Sequence, residues 1–232
     1  DLEKTEGKLA DLINSGADLA IIALPINKIK EALQVAGRIN CKAVMIMSRG
    51  VSAAEAQEFA KIARDYGMYI LGPNTRGFMR PALGLNASVM APLVEKGPLA
   101  LLSQSGAVTS ALLDWAIPNK IGFSTVISMG PHSAVDIAQA LDFLAADPQT
   151  HSIVVYVEGV NQARAFMSAL RAAAIAKPVV VLKAGRRRAG TTAAQTHSAT
   201  IVGSDEVFDA ALRRGGAVRV RSFTELFSAV QC

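Results

Sequence analysis

From residue 99 to the end, five short apolar segments alternate with segments whose apolar residues recur at helical spacing. The strand-like segments are Leu99 to Ser103, Phe123 to Ser128, Ser152 to Val157, Pro178 to Lys183 and Ala217 to Val220. The helix-like ones are Gly106 to Ala116, Val135 to Ala145, Gln162 to Ala174, Asp205 to Arg214 and Ser222 to Gln231. Strands that are apolar throughout must be covered on both faces, and helices between parallel neighbours cross over with a fixed hand. This half therefore reads as a doubly wound parallel sheet.

The same rhythm begins earlier. A helix-like segment, DLEKTEGKLADLINSG, precedes a strand at Asp18 to Leu24 that Pro25 closes. A helix from Ile26 to Arg38 and a strand from Lys42 to Met47 follow. Ser52 and Glu55 form a capping-box pattern that opens a helix running to Tyr66, with Gly67 as a left-handed stop before the strand Met68 to Leu71. Residues 72–97 hold Pro73, Pro81, Pro92 and several glycines without periodicity, and read as a connection. The expected division is 1–94, a partial α/β domain with its linker, and 95–232, a complete one. The first domain begins with a helix and has no Gly-rich turn such as G-x-G-x-x-G, so the expectation is a chain that starts inside that domain.

Composition narrows the function. The chain is 51% hydrophobic but only 5% aromatic, so Ala, Val, Leu and Ile carry the burial and disorder is excluded. DLAIIALPI and SIVVYVEG fall far short of the ~18 apolar residues a membrane span needs. Two cysteines, Cys41 and Cys232, supply neither a disulfide framework nor a metal site, which fits a reducing compartment and makes the cytoplasm the expected location. A formal charge of +5 favours an anionic ligand. Nucleic acid would call for stacking aromatics or a recognisable module, and neither is found, so a phosphorylated small molecule is the better expectation.

Ligands of open parallel sheets bind beyond the carboxyl ends of the strands. The loops there hold Leu24-Pro25, Ser48-Arg49-Gly50 and Gly72-Pro73-Asn74 in the first unit. In the second they hold Ser103-Gln104-Ser105-Gly106, Met129-Gly130-Pro131-His132, Glu158-Gly159 and residues 184–204 with His197. Ser103, Ser105 and Gly106 sit where a strand turns into a helix, which makes either a plain helix cap or an anion site. His197 lies in a loop of small residues, as a solvated histidine or a reactive one. Glu158 ends an apolar strand, as a solvated end or as the group that orients an imidazole. Arg186-Arg187-Arg188 is a basic loop or a phosphate contact. His132 and His151 read as surface residues.

Taken together, Gly72-Pro73-Asn74, Ser103-Gln104-Ser105-Gly106-Ala107, the Asp136 helix start, Asp147-Pro148-Gln149-Thr150, Tyr156-Val157-Glu158-Gly159, Lys177-Pro178-Val179, Lys183-Ala184-Gly185-Arg186 and the His197 loop resemble the NDP-forming acyl-CoA synthetases, relatives of the succinyl-CoA synthetase α subunit. The resemblance runs from about residue 17 to the end and is specific as a set. It implies a Rossmann-like CoA-binding domain followed by a flavodoxin-like ligase domain. By the same resemblance His197 is the phosphohistidine and Glu158 the carboxylate behind it. Ser103, Ser105 and Gly106 receive the phosphate, and Leu24, Pro25, Ser48, Gly50 and Asn74 lie on the CoA-contacting loops. Coenzyme A, a small carboxylic acid, and ATP or ADP with Mg2+ held by an ATP-grasp domain or subunit outside this chain are the implied ligands and partners, with a homo-oligomer for the intact protein. The chain departs from the family where His197-Ser198-Ala199 replaces His-Thr-Gly and Gly130-Pro131 replaces Gly-Asn.

Two other readings remain. Gly84-Leu85-Asn86-Ala87-Ser88, Leu113-Asp114-Trp115-Ala116 and Glu225-Leu226-Phe227-Ser228-Ala229-Val230 look closer to the branch fused to a GNAT-type acetyltransferase, whose synthetase half would sense CoA or acyl-CoA. Ser105, Glu158 and His197 also follow the order of an α/β-hydrolase triad, although Ser103 stands where the nucleophile elbow wants glycine.

Overall fold

The computed structural model describes residues 17–184 and 205–231. The amino-terminal helix-like segment, the arginine triplet, His197 and Cys232 lie outside them. The chain divides into two units, one of residues 1–75 with 132–135, the other of residues 76–131 and 136–232.

The first unit is a three-stranded parallel sheet in the order β1-β2-β3, with β1 Leu19–Ile22, β2 Ala43–Ile46 and β3 Tyr69–Leu71. Helices α1 (Ile26–Arg38) and α2 (Ala53–Asp65) connect them. Ile29, Leu33 and Ala36 of α1 and Ala56, Phe59 and Ala63 of α2 share one core with Ile22, Val44, Ile46 and Ile70. Burial of each large side chain there contributes about 1.5–3 kcal/mol. The Ser52 capping box forms as expected, Ser52 accepting from the Glu55 N–H and Glu55 from the Ser52 N–H. Gly67 takes the left-handed conformation, φ +70°. Beside β3 runs the returning segment, where the Val135 N–H donates to the Ile70 carbonyl at 3.1 Å and the Ala134 N–H to Gly72 at 3.0 Å.

The second unit begins with elements that local spacing did not show. Residues 77–88 are not linker: β4 (Gly77–Arg80) and β5 (Leu85–Ser88) form a hairpin around a short 3-10 turn at Pro81–Leu83, and β4 pairs antiparallel with β7 (Phe123–Ser128). The two compact units divide in sequence between Thr75 and Arg76. Each strand is four residues long, and β4 is held by a partner about fifty residues away, so local periodicity could not show the hairpin.

The remaining elements are β6 (Lys96–Ser103), α3 (Gly106–Ala116), α4 (Ile137–Ala146), β8 (Ser152–Val157), α5 (Ala163–Ala176), β9 (Val179–Lys183), α6 (Asp205–Gly215), β10 (Val218–Val220) and α7 (Phe223–Gln231). Sheet order is β10-β9-β8-β6-β7-β4-β5. Its five parallel strands, numbered by appearance, run 2-1-3-4-5, the flavodoxin-like order. One face packs against α3 and α7, through Leu112, Leu113, Leu226 and a stack of Trp115 on Phe227 with centroids 4.2 Å apart. On α4 and α5, Leu141, Leu144, Phe166 and Leu170 are also buried. Among the described residues no helix is long and apolar enough to cross a membrane.

Candidate functional site

The 2-1-3-4-5 order places the topological switch between β6 and β8, where successive crossovers leave in opposite directions and the carboxyl ends open a crevice. The residues there are Ser103 to Gly106 after β6, and Glu158 and Gly159 after β8.

Ser105 is the N-cap of α3. Its hydroxyl accepts from the Val108 N–H at 3.5 Å and its carbonyl accepts from the Thr109 N–H at 2.9 Å and hydroxyl at 2.8 Å. The N–H groups of Gly106 and Ala107 have no acceptor within the helix, as at any helix start. Ser103 is fully buried; its hydroxyl donates to the Ser105 carbonyl at 2.9 Å and accepts from the Ser105 N–H at 3.1 Å. These bonds shape the turn that leads into α3.

The sequence reading missed Arg76. Its guanidinium donates to the Ser110 hydroxyl at 3.0 Å, and its side chain crosses the first turn of α3 so closely that a Cβ on Gly106 would lie 2.6 Å from its Cδ. Gly106 is thus required for this approach. A cation at the positive end of a helix is unfavourable by a few tenths of a kcal/mol or more unless an anion joins it. Arg76 went unnoticed because the segment around it looked like linker.

Glu158 is 8% exposed at the end of β8. The Gln104 amide reaches across from the β6 loop: its Oε1 accepts from the Glu158 N–H at 2.7 Å and the Gly159 N–H at 3.2 Å, and its Nε2 donates to the Gly159 carbonyl at 3.0 Å. Burial first, and then the Glu158 charge, pushes the neighbouring Tyr156 phenol up to about 12. On the next strand Lys183 is buried, its Nζ 5.4 Å from the centre of the Phe208 ring. Burial and the Arg219 charge pull its pKa below the ordinary lysine value against the opposing effect of Asp205.

The first unit brings its expected residues together on the carboxyl edge of its own sheet. The Ser48 hydroxyl donates to the Leu24 carbonyl at 2.6 Å, and the Asn74 N–H donates to the Ser48 carbonyl at 3.1 Å. Asn74 also clasps the Val51 peptide, Nδ2 to its carbonyl at 3.1 Å and Oδ1 from its N–H at 3.2 Å. Leu24, Pro25 and Gly50 are exposed on this rim, Gly50 with φ +78°. Gly72 adopts φ +91° ahead of a cis bond to Pro73, and a Cβ there would press into the Ile46 carbonyl oxygen.

The serine-hydrolase reading fails on geometry. A nucleophile elbow holds its serine on a strained turn with the hydroxyl presented to substrate. Ser105 has an unstrained φ of −111°, and its hydroxyl caps the helix. Among the described residues there is no cluster of three or more metal-ligating side chains.

Comparison with known proteins agrees with this geometry. Residues 96–232 match the family described as the succinyl-CoA ligase like flavodoxin domain. The chain is 37% identical over 221 residues to acetate–CoA ligase [ADP-forming] I of Archaeoglobus fulgidus, covering 93% of this chain and 32% of that protein. It is 38% identical over 216 residues to the α subunit of acetate–CoA ligase [ADP-forming] I of Pyrococcus furiosus, covering 90% and 47%. The chain thus spans from a third to about half the length of these relatives. Its structure matches that of the Ca. Korarchaeum cryptofilum dinucleotide forming acetyl-coenzyme A synthetase 1 in complex with phosphate and ADP, with a TM-score of 0.84, 31% identity, and coverage of 88% of this chain and 46% of that one. The acetyltransferase alternative gains no support from these relatives. By sequence, fold and the shared flavodoxin-like domain, the chain belongs to the NDP-forming acyl-CoA synthetase family.

Proposed function

We propose that this chain is the CoA-binding and phosphoryl-transfer part of an acid–CoA ligase that interconverts acyl-CoA, phosphate and a nucleoside diphosphate with acid, CoA and a nucleoside triphosphate. The observation that carries the reading is the crevice at the β6/β8 switch, where a capped helix start, the Arg76 side chain and buried Glu158 belong to one unit. In this reading phosphate attacks the acyl carbonyl and the thioester bond breaks, releasing CoA and leaving an acyl phosphate. An Nε2 or Nδ1 lone pair of His197 then takes the phosphoryl group and frees the acid, and the nucleoside diphosphate takes it from His197. The bond formed at each transfer replaces the one broken, and every step reverses.

Each residue has a physical part. His197 lies outside the described residues and enters on the family resemblance: neutral imidazole is a competent nucleophile near pH 7. Glu158 would hold its other ring nitrogen and stabilise the cationic phosphoimidazole. The first-turn N–H groups at Gly106, with Ser105 and Arg76, would bear the phosphoryl oxygens. Leu24, Pro25, Ser48, Gly50 and Asn74 would form the CoA-contacting rim, with Ser48 and Asn74 chiefly tying its loops together. The nucleotide, with Mg2+, would belong to an ATP-grasp domain or subunit that meets this chain in the intact enzyme. A cytoplasmic location completes the reading, in keeping with the buried free thiol of Cys41.

Labelled ATP offered to the intact protein should give an acid-labile, base-stable phosphoprotein. Label persisting in His197→Asn would overturn the assignment.

A further inference from the structure

The ladder between β6 and β8 ends where Ser103 stands opposite Tyr156. One more peptide contact follows, from the Gln104 N–H to the Tyr156 carbonyl at 3.1 Å, and then the two strands diverge into their loops. Beyond that point the Gln104 side chain continues the pairing. A primary amide offers a carbonyl and an N–H like those of a peptide group, and this one binds both the N–H and the carbonyl of Gly159 and the N–H of Glu158. Asparagine is one methylene shorter, glutamate cannot donate to the Gly159 carbonyl, and lysine cannot accept. The amide thus ties the Glu158 backbone to the residue immediately before the Ser105 cap.

We propose that Gln104 is a positioning residue that holds the Glu158 carboxylate in register with the helix start at Ser105 across the β6/β8 switch. This rests on the phosphohistidine reading above. Glu158 can support the cationic imidazole only while its carboxylate keeps a fixed relation to the turn that carries the phosphoryl oxygens. Gln104 fixes that relation without touching either reacting group.

The test uses the intact protein with Gln104→Met, Gln104→Glu and Glu158→Gln. Its readouts are single-turnover phosphorylation from labelled ATP, KM for ATP, and amide exchange at Glu158 and Gly159. Gln104→Met keeps the length of the side chain and removes all three hydrogen bonds. Phosphorylation should slow by about 10-fold or more with KM within about twofold, and the two amides should exchange about 10-fold faster. Gln104→Glu retains an acceptor but sets a second carboxylate beside Glu158, so the acid limb of the pH–rate profile should move to higher pH. A wild-type rate in Gln104→Met beside a slowed Glu158→Gln would overturn the positioning role and leave the ligase reading standing. A wild-type rate in Glu158→Gln would overturn both. If the methionine variant does not fold, Gln104→Glu decides, and an unmoved pH profile there overturns the proposal.

Discussion

Arg80 on β4 and Asp147 after α4 meet in a two-pronged ion pair, Nη1 to Oδ2 at 2.8 Å and Nη2 to Oδ1 at 3.3 Å, with side-chain exposures of 17% and 4%. Arg80 also donates to the Thr125 hydroxyl at 2.9 Å, and Thr150 donates to Asp147 at 2.8 Å. The pair thereby anchors the hairpin to the end of the parallel sheet away from the crevice. Arg80→Met should cost about 3–5 kcal/mol, because it strands a buried carboxylate. Trp115 is the single tryptophan and lies in the same unit, so its fluorescence in a urea titration reads this loss directly.

The same pair sets a pH dependence. Burial pushes the Asp147 carboxyl up, but hydrogen bonds from Arg80, Thr150 and the Gln149 N–H, with the Arg80 charge, outweigh it and hold the pKa below the ordinary aspartate value. A depressed folded-state pKa gives stability that is present above the unfolded value near 4 and is lost as pH falls through the folded one. Asp147→Asn should therefore flatten the acid limb of the Trp115-reported stability curve. An acid limb unchanged from wild type would remove Asp147 as its source.

Tyr156 supplies the opposite sign. Its folded pKa of about 12 stands above the ordinary 10, so its contribution is full below pH 10 and is lost as pH rises toward 12. A difference titration at 295 nm against Tyr156→Phe should show one phenol ionising near 12. Restoring the neutral neighbour with Glu158→Gln should lower that value only modestly, since burial is the larger cause.

Ser105 separates capping from anion binding. Ser105→Ala should cost about 1 kcal/mol through the lost cap. Ser105→Asp keeps a good capping group but places a carboxylate where the phosphoryl oxygens are proposed to rest. It should hold wild-type stability within about 0.5 kcal/mol while phosphorylation falls by about 10-fold or more. An undiminished phosphorylation rate in the aspartate variant would show that the helix start does not receive the phosphoryl group.

Gly72→Ala forces a side chain into φ +91° and against the Ile46 carbonyl. It should destabilise the first unit by about 2 kcal/mol or more, followed as accelerated proteolysis between α2 and residue 76.

Much of this was legible in the sequence, because much of it is local. The α1 and α3 limits match the helical spacing, Ser52 caps its helix through its own third residue, and the inner parallel strands are largely apolar because they are covered on both faces. What local pattern could not carry is whatever depends on a distant partner. The four-residue strand β4 is held by pairing with the distant β7, and β5 in turn by pairing with β4.

The order 2-1-3-4-5 is likewise a choice among crossovers that no single segment encodes. That order brought Glu158 beside the Ser105 turn and gave Gln104 a peptide to grip, while the antiparallel pairing of β4 with β7 carries Arg76 over Gly106. The sequence by itself determined the alternation of elements, the caps and the family, since these are written in spacing and residue type. Only the tertiary structure decided which loops share a crevice, because hydrogen bonds between residues more than fifty positions apart form only after strand order and register have been set.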